Sequence, residues 1–121
     1  MSPRDLLERA LTARDHRPWF TVDAVAQDIT ENRAQLWTGD RSAMVTNITD
    51  YTSTGERVID CWLAAGELGE IVNVIRPGIE EYARHIGCTQ GMIVGRRGWG
   101  KVLGPHGYQE FRTVYRKLFD Q

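Results

Sequence analysis

A chain of 121 residues, 41% hydrophobic and 26% charged, has the make-up of one ordinary globular domain spanning residues 1–121, long enough to bury a core. Its formal net charge of −1 gives no global pull toward nucleic acid or an acidic membrane, and no apolar run approaches the roughly 20 residues that a membrane-spanning helix needs. The charged opening MSPRDLLERA lacks an apolar signal core, and Cys61 and Cys88 form no CxxC pair, so the reading is a cytoplasmic protein with reduced thiols.

Ser2-Pro3-Arg4-Asp5 predicts a helix start: Ser2 can cap, Pro3 suits the first helical position, and Asp5 favours the positive end. Leu6, Leu7, Ala10 and Leu11 continue it at helical spacing to near Arg14, before Arg17-Pro18. A second helix is predicted from Thr21 to Arg33, with Thr21 as cap and Val22, Val25, Ala26 and Ile29 on one face. Trp19 and Phe20 in the connector are expected to staple both helices to the core.

The period then changes. Gln35–Thr38 reads as a short strand ended by Gly39-Asp40, Ser42–Tyr51 alternates along its length, and Arg57–Ala65 is the most apolar segment. Connections this short predict an antiparallel meander. After Gly66 a long helix carries the stripe Leu68, Ile71, Val74, Ile75, Ile79, Tyr82 and Ile86, with a kink or two abutting helices expected at Pro77-Gly78 and an end at Gly87. Gln90–Val94 should be a central strand parallel to the preceding one, because a helix joins them. About two helical turns from Arg97 to Leu103, stopped at Gly104-Pro105, and a long last strand from Tyr108 to Phe119 complete the chain.

A strand that runs through a glycine into a helix start aims free backbone N–H groups and a positive dipole end at one point, so an anion site is possible near Gly66. Gly95-Arg96-Arg97-Gly98-Trp99-Gly100-Lys101 satisfies G-x-x-x-x-G-K. Val102 stands where a phosphate loop needs Ser or Thr, and Pro105 follows closely, so a tight turn into a short helix is expected. His16, His85 and His106 have no metal-ligand spacing. Arg96, Arg97, Lys101, Arg112, Arg116 and Lys117 stand against Glu110 alone, either as an anion patch or as a solvated strand face and loop. A nucleic-acid role for this set would require salt-steep affinity.

The order helix, helix, three antiparallel strands, helix, strand, short helix, strand resembles the GNAT acyltransferase superfamily, most clearly from Arg57 to Phe119. The resemblance implies an α+β fold, a mixed central sheet flanked by helices, and transfer of an acetyl group from acetyl-CoA to an amine. In that family the fourth strand enters a pyrophosphate loop and the fifth splays away to admit acetyl-CoA. Here Trp62–Gly66 would be the entering strand, Glu67-Leu68-Gly69 the loop, Met92-Ile93-Val94 the splayed strand, and Gly107-Tyr108 the Gly-aromatic step. The implied cofactor-binding residues are Leu63, Ala65, Gly66, Glu67, Leu68 and Gly69. Departures are visible. The loop glycines are spaced more widely than in the family, its basic or amide residue is missing, and Glu67 and Glu70 bring negative charge where a pyrophosphate would sit. Leu103 or Val102 falls where a general-acid tyrosine often stands. The helices come first, with no strand before them.

Acyl transfer to an amine needs a base. Candidates are Glu56, Asp60, Tyr51, His106 and Tyr115, with Asp60 placed inside the strand that would flank the cleft. Packing is the expected role of Trp62 and Trp99. The wording GRRGW before HGY also resembles small GNAT-like proteins encoded by tailed phages. That resemblance implies an alternative: a non-catalytic virion or assembly component whose partners are phage structural proteins or copies of itself.

Overall fold

The computed structural model describes residues 1–12, 18–96 and 98–119, so the expected end of the first helix near Arg14, and His16, lie outside the described residues. Helix α1 (Pro3–Thr12) starts as its sequence dictates. Ser2 Oγ accepts the Asp5 N–H at 3.1 Å, and the Asp5 carboxylate accepts the Ser2 N–H at 3.2 Å. Helix α2 (Val22–Thr30) is capped by Thr21, whose hydroxyl accepts the Ala24 N–H at 3.2 Å. It ends at Thr30 and not at Arg33, because Asn32 turns left-handed at φ 62° and Arg33 folds back to pair with Asp28 and Glu31.

Strands β1 (Gln35–Thr38), β2 (Ser42–Tyr51) and β3 (Glu56–Gly66) form the antiparallel meander, and β4 (Gln90–Ile93) joins β3 in parallel. The sheet order is β1-β2-β3-β4, which makes β4 an edge strand and corrects the central position expected for it. Both sheet faces are covered. Leu7 and Val25 of α1 and α2 pack on Ala43, Val45 and Leu63, while Ile71, Ile75 and Ile79 pack on Met44, Ile59 and Cys61 from the opposite side. Alternation along β2 places odd and even residues on these two faces. Between Val45/Thr46 the β2–β3 register shifts, with Val45 opposite Leu63 and Thr46 opposite Cys61. Trp62 is the extra residue of that bulge, and it inverts which side chains of β3 face each layer.

The expected long helix is one helical run of three parts: α3 (Leu68–Glu70), a π segment (Ile71–Ile75) and α4 (Arg76–His85). Of the kink or abutting helices expected at Pro77-Gly78, the structure has abutting segments, the π register giving way to α4 at Arg76. The Arg76 N–H reaches back to the Ile71 carbonyl, and the next bond in that register would need an N–H that Pro77 lacks. Arg76 Nε donates to the stranded Val72 carbonyl at 2.8 Å. Gly87, at φ 82°, ends the run in a Schellman motif: the Cys88 N–H donates to Ala83 at 2.8 Å and the Gly87 N–H to Arg84 at 3.2 Å.

Beyond β4, α5 (Gly100–Leu103) runs directly into a 3₁₀ turn (Gly104–His106), so Gly104-Pro105 tightens the helix and does not stop it. Tyr108–Phe119 is not a strand. Phe111, Val114, Tyr115 and Phe119 are exposed, because the four-residue edge β4 offers about 13 Å of ladder to a twelve-residue segment. Trp19 is also exposed at 75%, and only Phe20 of the expected staple packs, its ring centroid 4.8 Å from that of Trp62. No helix among the described residues is long and apolar enough to cross a membrane.

Candidate functional site

Two parallel strands, β3 and β4, send their chains into helices at the same end of the sheet. They also part there. The last paired residues are Cys61 and Ile93, the Val94 N–H still reaches the Cys61 carbonyl at 2.9 Å, and β3 then runs on to Gly66 paired with β2 alone. Gly66 sits at φ 110°, and a Cβ on it would lie 2.2 Å from the Arg41 carbonyl oxygen, so the tight passage into the helix requires glycine. The first intrahelical bond is from the Ile71 N–H to the Glu67 carbonyl at 3.0 Å, and Glu67 caps with no side chain. The N–H groups of Leu68, Gly69 and Glu70 therefore have no acceptor within the helix.

These amides border a groove of about 380 Å³, with Leu68, Gly69 and Asn73 on one wall and Lys101, Pro105 and His106 on the other. Nothing lies within 4 Å of a Cβ built on Gly69, so the helix start is open at that point. Of the six expected binding residues, Leu68 and Gly69 line the groove. Gly66 shapes its entry, Ala65 pairs with Ala43, and the Leu63 side chain is buried against α1 and α2 on the opposite face. Sequence reading missed Asn73 and Lys101 as wall residues. Asn73 is four residues after Gly69, the helical spacing that shares a face, and that spacing was the available signal.

The two glutamates do not fill the groove. Glu67 pairs with Arg41 at 3.1 Å. The Glu70 carboxylate accepts the backbone N–H groups of Asp40 and Arg41 and the Ser42 hydroxyl, and these donors, Ser42 first, hold it below the usual glutamate range. Both negative charges are drawn onto the β1–β2 turn, away from Gly69.

Asp60 lies on the face of β3 opposite Ile59 and Cys61, beside its strand partners Asn47 and Met92. One carboxylate oxygen, Oδ1, is buried and makes no hydrogen bond among the described residues, and burial pushes its pKa up. Next to it on β3, Trp62 donates its indole N–H to Asn47 Oδ1. Of the other base candidates, His106 lines the groove, Tyr51 and Glu56 border a separate hollow, and Tyr115 is 91% exposed. The Tyr108 hydroxyl donates to Glu80 at 2.9 Å, and burial with that bond raises its pKa well above the ordinary range. Leu103, at the position where a tyrosine acid was sought, is buried. Burial pushes the Cys61 thiol up to about 12, so it is inert, and both cysteines are free. Among the described residues no His, Cys, Asp and Glu cluster could hold a metal ion.

By sequence, no protein-family model and no curated protein matches the chain. By structure it is similar to a protein described as a probable acetyltransferase, with TM-score 0.67 and 11% identity over 96% of this chain and 88% of that one. It is also similar to a ribosomal-protein-alanine N-acetyltransferase from Brucella melitensis biovar Abortus 2308, with TM-score 0.60 and 15% identity over 98% and 96%. A third is a predicted acetyltransferase from Clostridium acetobutylicum solved with acetyl-CoA, with TM-score 0.62 and 14% identity over 95% and 86%. The chain has the GNAT fold, as the order of its elements implied, and identities this low carry the fold alone.

Proposed function

We propose that the chain is an N-acyltransferase that binds acetyl-CoA in the groove between the start of the long helical run and α5, and passes the acetyl group to a primary amine. One observation carries this reading. The parted ends of β3 and β4 meet an open helix start, while Glu67 and Glu70 are held on the β1–β2 turn and Lys101 stands on the facing wall. Free amides, a positive helix end and a lysine suit a pyrophosphate. The main chain from Ala65 to Gly69, with Lys101, would hold it.

Acetyl-CoA supplies a thioester whose C–S bond is exchanged for a C–N bond to the amine, so one proton leaves the nitrogen and one reaches the departing sulfur. Asp60 takes the amine proton. It lies on the strand beside the cleft, and its raised pKa brings it nearer the pH at which a base works best. Leu103 stands where the resemblance would place a tyrosine acid, so the proton for the departing thiolate is assigned to water. The neighbour solved with acetyl-CoA supports this choice of donor. The test is incubation with acetyl-CoA and a pool of primary amines, following release of free thiol. Amine-dependent release supports the proposal; bound acetyl-CoA without any release removes the catalytic half of it.

A second reading is a non-catalytic component of a tailed-phage virion or its assembly. It rests on the resemblance to phage-encoded proteins; the exposed Phe111, Val114, Tyr115 and Phe119 suit contact with a partner without saying which. A monomer at high concentration that carries no other protein would count against it.

A further inference from the structure

We infer that Tyr108 sets the width of the donor groove: its bond to Glu80 pins the wall made by α5 and the 3₁₀ turn against the helical run, which makes Tyr108 a positioning residue for acetyl-CoA. This rests on the acyltransferase reading above.

The two walls of the groove are anchored unequally. The helical run brings Leu68, Gly69, Val72 and Asn73 to the groove, while Ile71, Ile75 and Ile79 of the same run are buried against the sheet. The facing wall, with Lys101, Val102, Pro105 and His106, belongs to the four residues of α5 and the three of the 3₁₀ turn. Helices this short are not stable by themselves and take their position from what holds them. Leu103 is the buried side chain of that wall. Among the described residues, the one hydrogen bond between 98–108 and the helical run is that of the Tyr108 hydroxyl, which donates to Glu80 at 2.9 Å.

That bond lies in line with the groove. Arg76 Nε donates to the Val72 carbonyl and Arg76 also pairs with Glu80, each a step of four residues. Val72, on the groove wall, is thus followed by Arg76 and Glu80 along one face of the run. On the other side the chain leaves His106 and turns left-handed at Gly107, φ 92°, whose N–H donates to the Gly104 carbonyl at 3.0 Å. Tyr108 therefore stands two residues past the groove-lining His106 and reaches the face that carries Val72. Its acceptor is fixed in advance, since Glu80 is part-buried between Arg76 and Arg84. A hydrogen bond to such a carboxylate is stronger than one at the surface. Without the hydroxyl the wall is free, and a ligand that needs both walls binds in proportion to the time the second is in place.

The test is Tyr108→Phe, which keeps the ring and leaves Glu80 its two arginines, so the variant should melt close to the wild type. Hydrogen exchange of the ligand-free proteins, read by mass spectrometry, reports the wall directly. Amides of 100–108 should exchange about tenfold faster in the variant, with those of 76–86 unchanged. Calorimetric titration should show acetyl-CoA binding about tenfold more weakly to the variant. Equal exchange over 100–108, exchange that quickens equally in 76–86, or equal affinity for acetyl-CoA would overturn the inference. The exchange arm needs no ligand, and so separates the two claims. A wild type that binds no acetyl-CoA removes the acyltransferase reading and the positioning role with it. Faster exchange confined to 100–108 would then still support Tyr108 as the residue that holds the wall.

Discussion

Glu70 Oε1 accepts the backbone N–H of Arg41 at 2.9 Å across 29 residues of chain, and its other oxygen takes the Asp40 N–H at 3.1 Å. A carboxylate from the first turn of the helical run thus closes the β1–β2 turn. The same contact clears negative charge from the helix start. Glu70→Gln should lower the melting temperature at pH 7. The sign of the pH dependence follows from the lowered pKa of Glu70: its stabilisation is present above the unfolded-state value and is lost as pH falls through the folded value. Melting curves of both proteins should therefore converge in acid.

The two glycines of the loop should behave oppositely. Gly66→Ala drives a Cβ to 2.2 Å from the Arg41 carbonyl at φ 110° and should unfold the loop, costing about 2–3 kcal/mol. Gly69→Ala meets open space and should leave chemical denaturation unchanged.

Asp60→Asn should reduce acetyl transfer about 10²- to 10⁴-fold, the usual contribution of a positioned base. It should also stabilise the fold at neutral pH by up to about 1 kcal/mol, since it removes a charge that is half-buried and incompletely hydrogen-bonded. Because the folded pKa is raised, Asp60 favours the fold when protonated and that contribution disappears as pH rises through the folded value. The stability gap between variant and wild type should widen over that range and close below it. Urea titrations at several pH values read it directly.

Arg76 is 11% exposed and serves both the stranded Val72 carbonyl and Glu80. Arg76→Leu would leave a buried carbonyl and a part-buried carboxylate without their donor. A loss of about 1–3 kcal/mol is expected by thermal unfolding. Pro77→Ala supplies the missing N–H and should recover part of that loss when combined with it.

Local signals were legible where they are local. Ser2 and Asp5 announce a capping box, Gly87 a left-handed helix end, and the short turns at Gly39-Asp40 and 52–55 a meander. The π register was not legible from the stripe of apolar residues, because it depends on the missing N–H of Pro77 and the answering Arg76 side chain. The last strand failed partly on pattern, since Tyr108, Phe111, Val114, Tyr115, Leu118 and Phe119 do not recur every second residue, and the β4 edge is only four residues long. At the site, sequence showed that Glu67 and Glu70 were near the loop. It could not show that residues about 30 positions earlier would hold both carboxylates aside. Lys101 was read through a phosphate-loop pattern it does not form. Its place on the groove wall comes from the turn at Gly98-Trp99 that swings α5 toward the helix start.

The most direct test is the thermal unfolding of the wild type and Gly69→Glu with acetyl-CoA, against ATP as control. The variant places a carboxylate at the open helix start without crowding the fold. Acetyl-CoA at 100 times its dissociation constant should stabilise the wild type by about 2.7 kcal/mol, with no effect on Gly69→Glu. An unchanged wild-type transition at millimolar acetyl-CoA, or an equal shift in both proteins, would contradict the groove as the acyl-donor site.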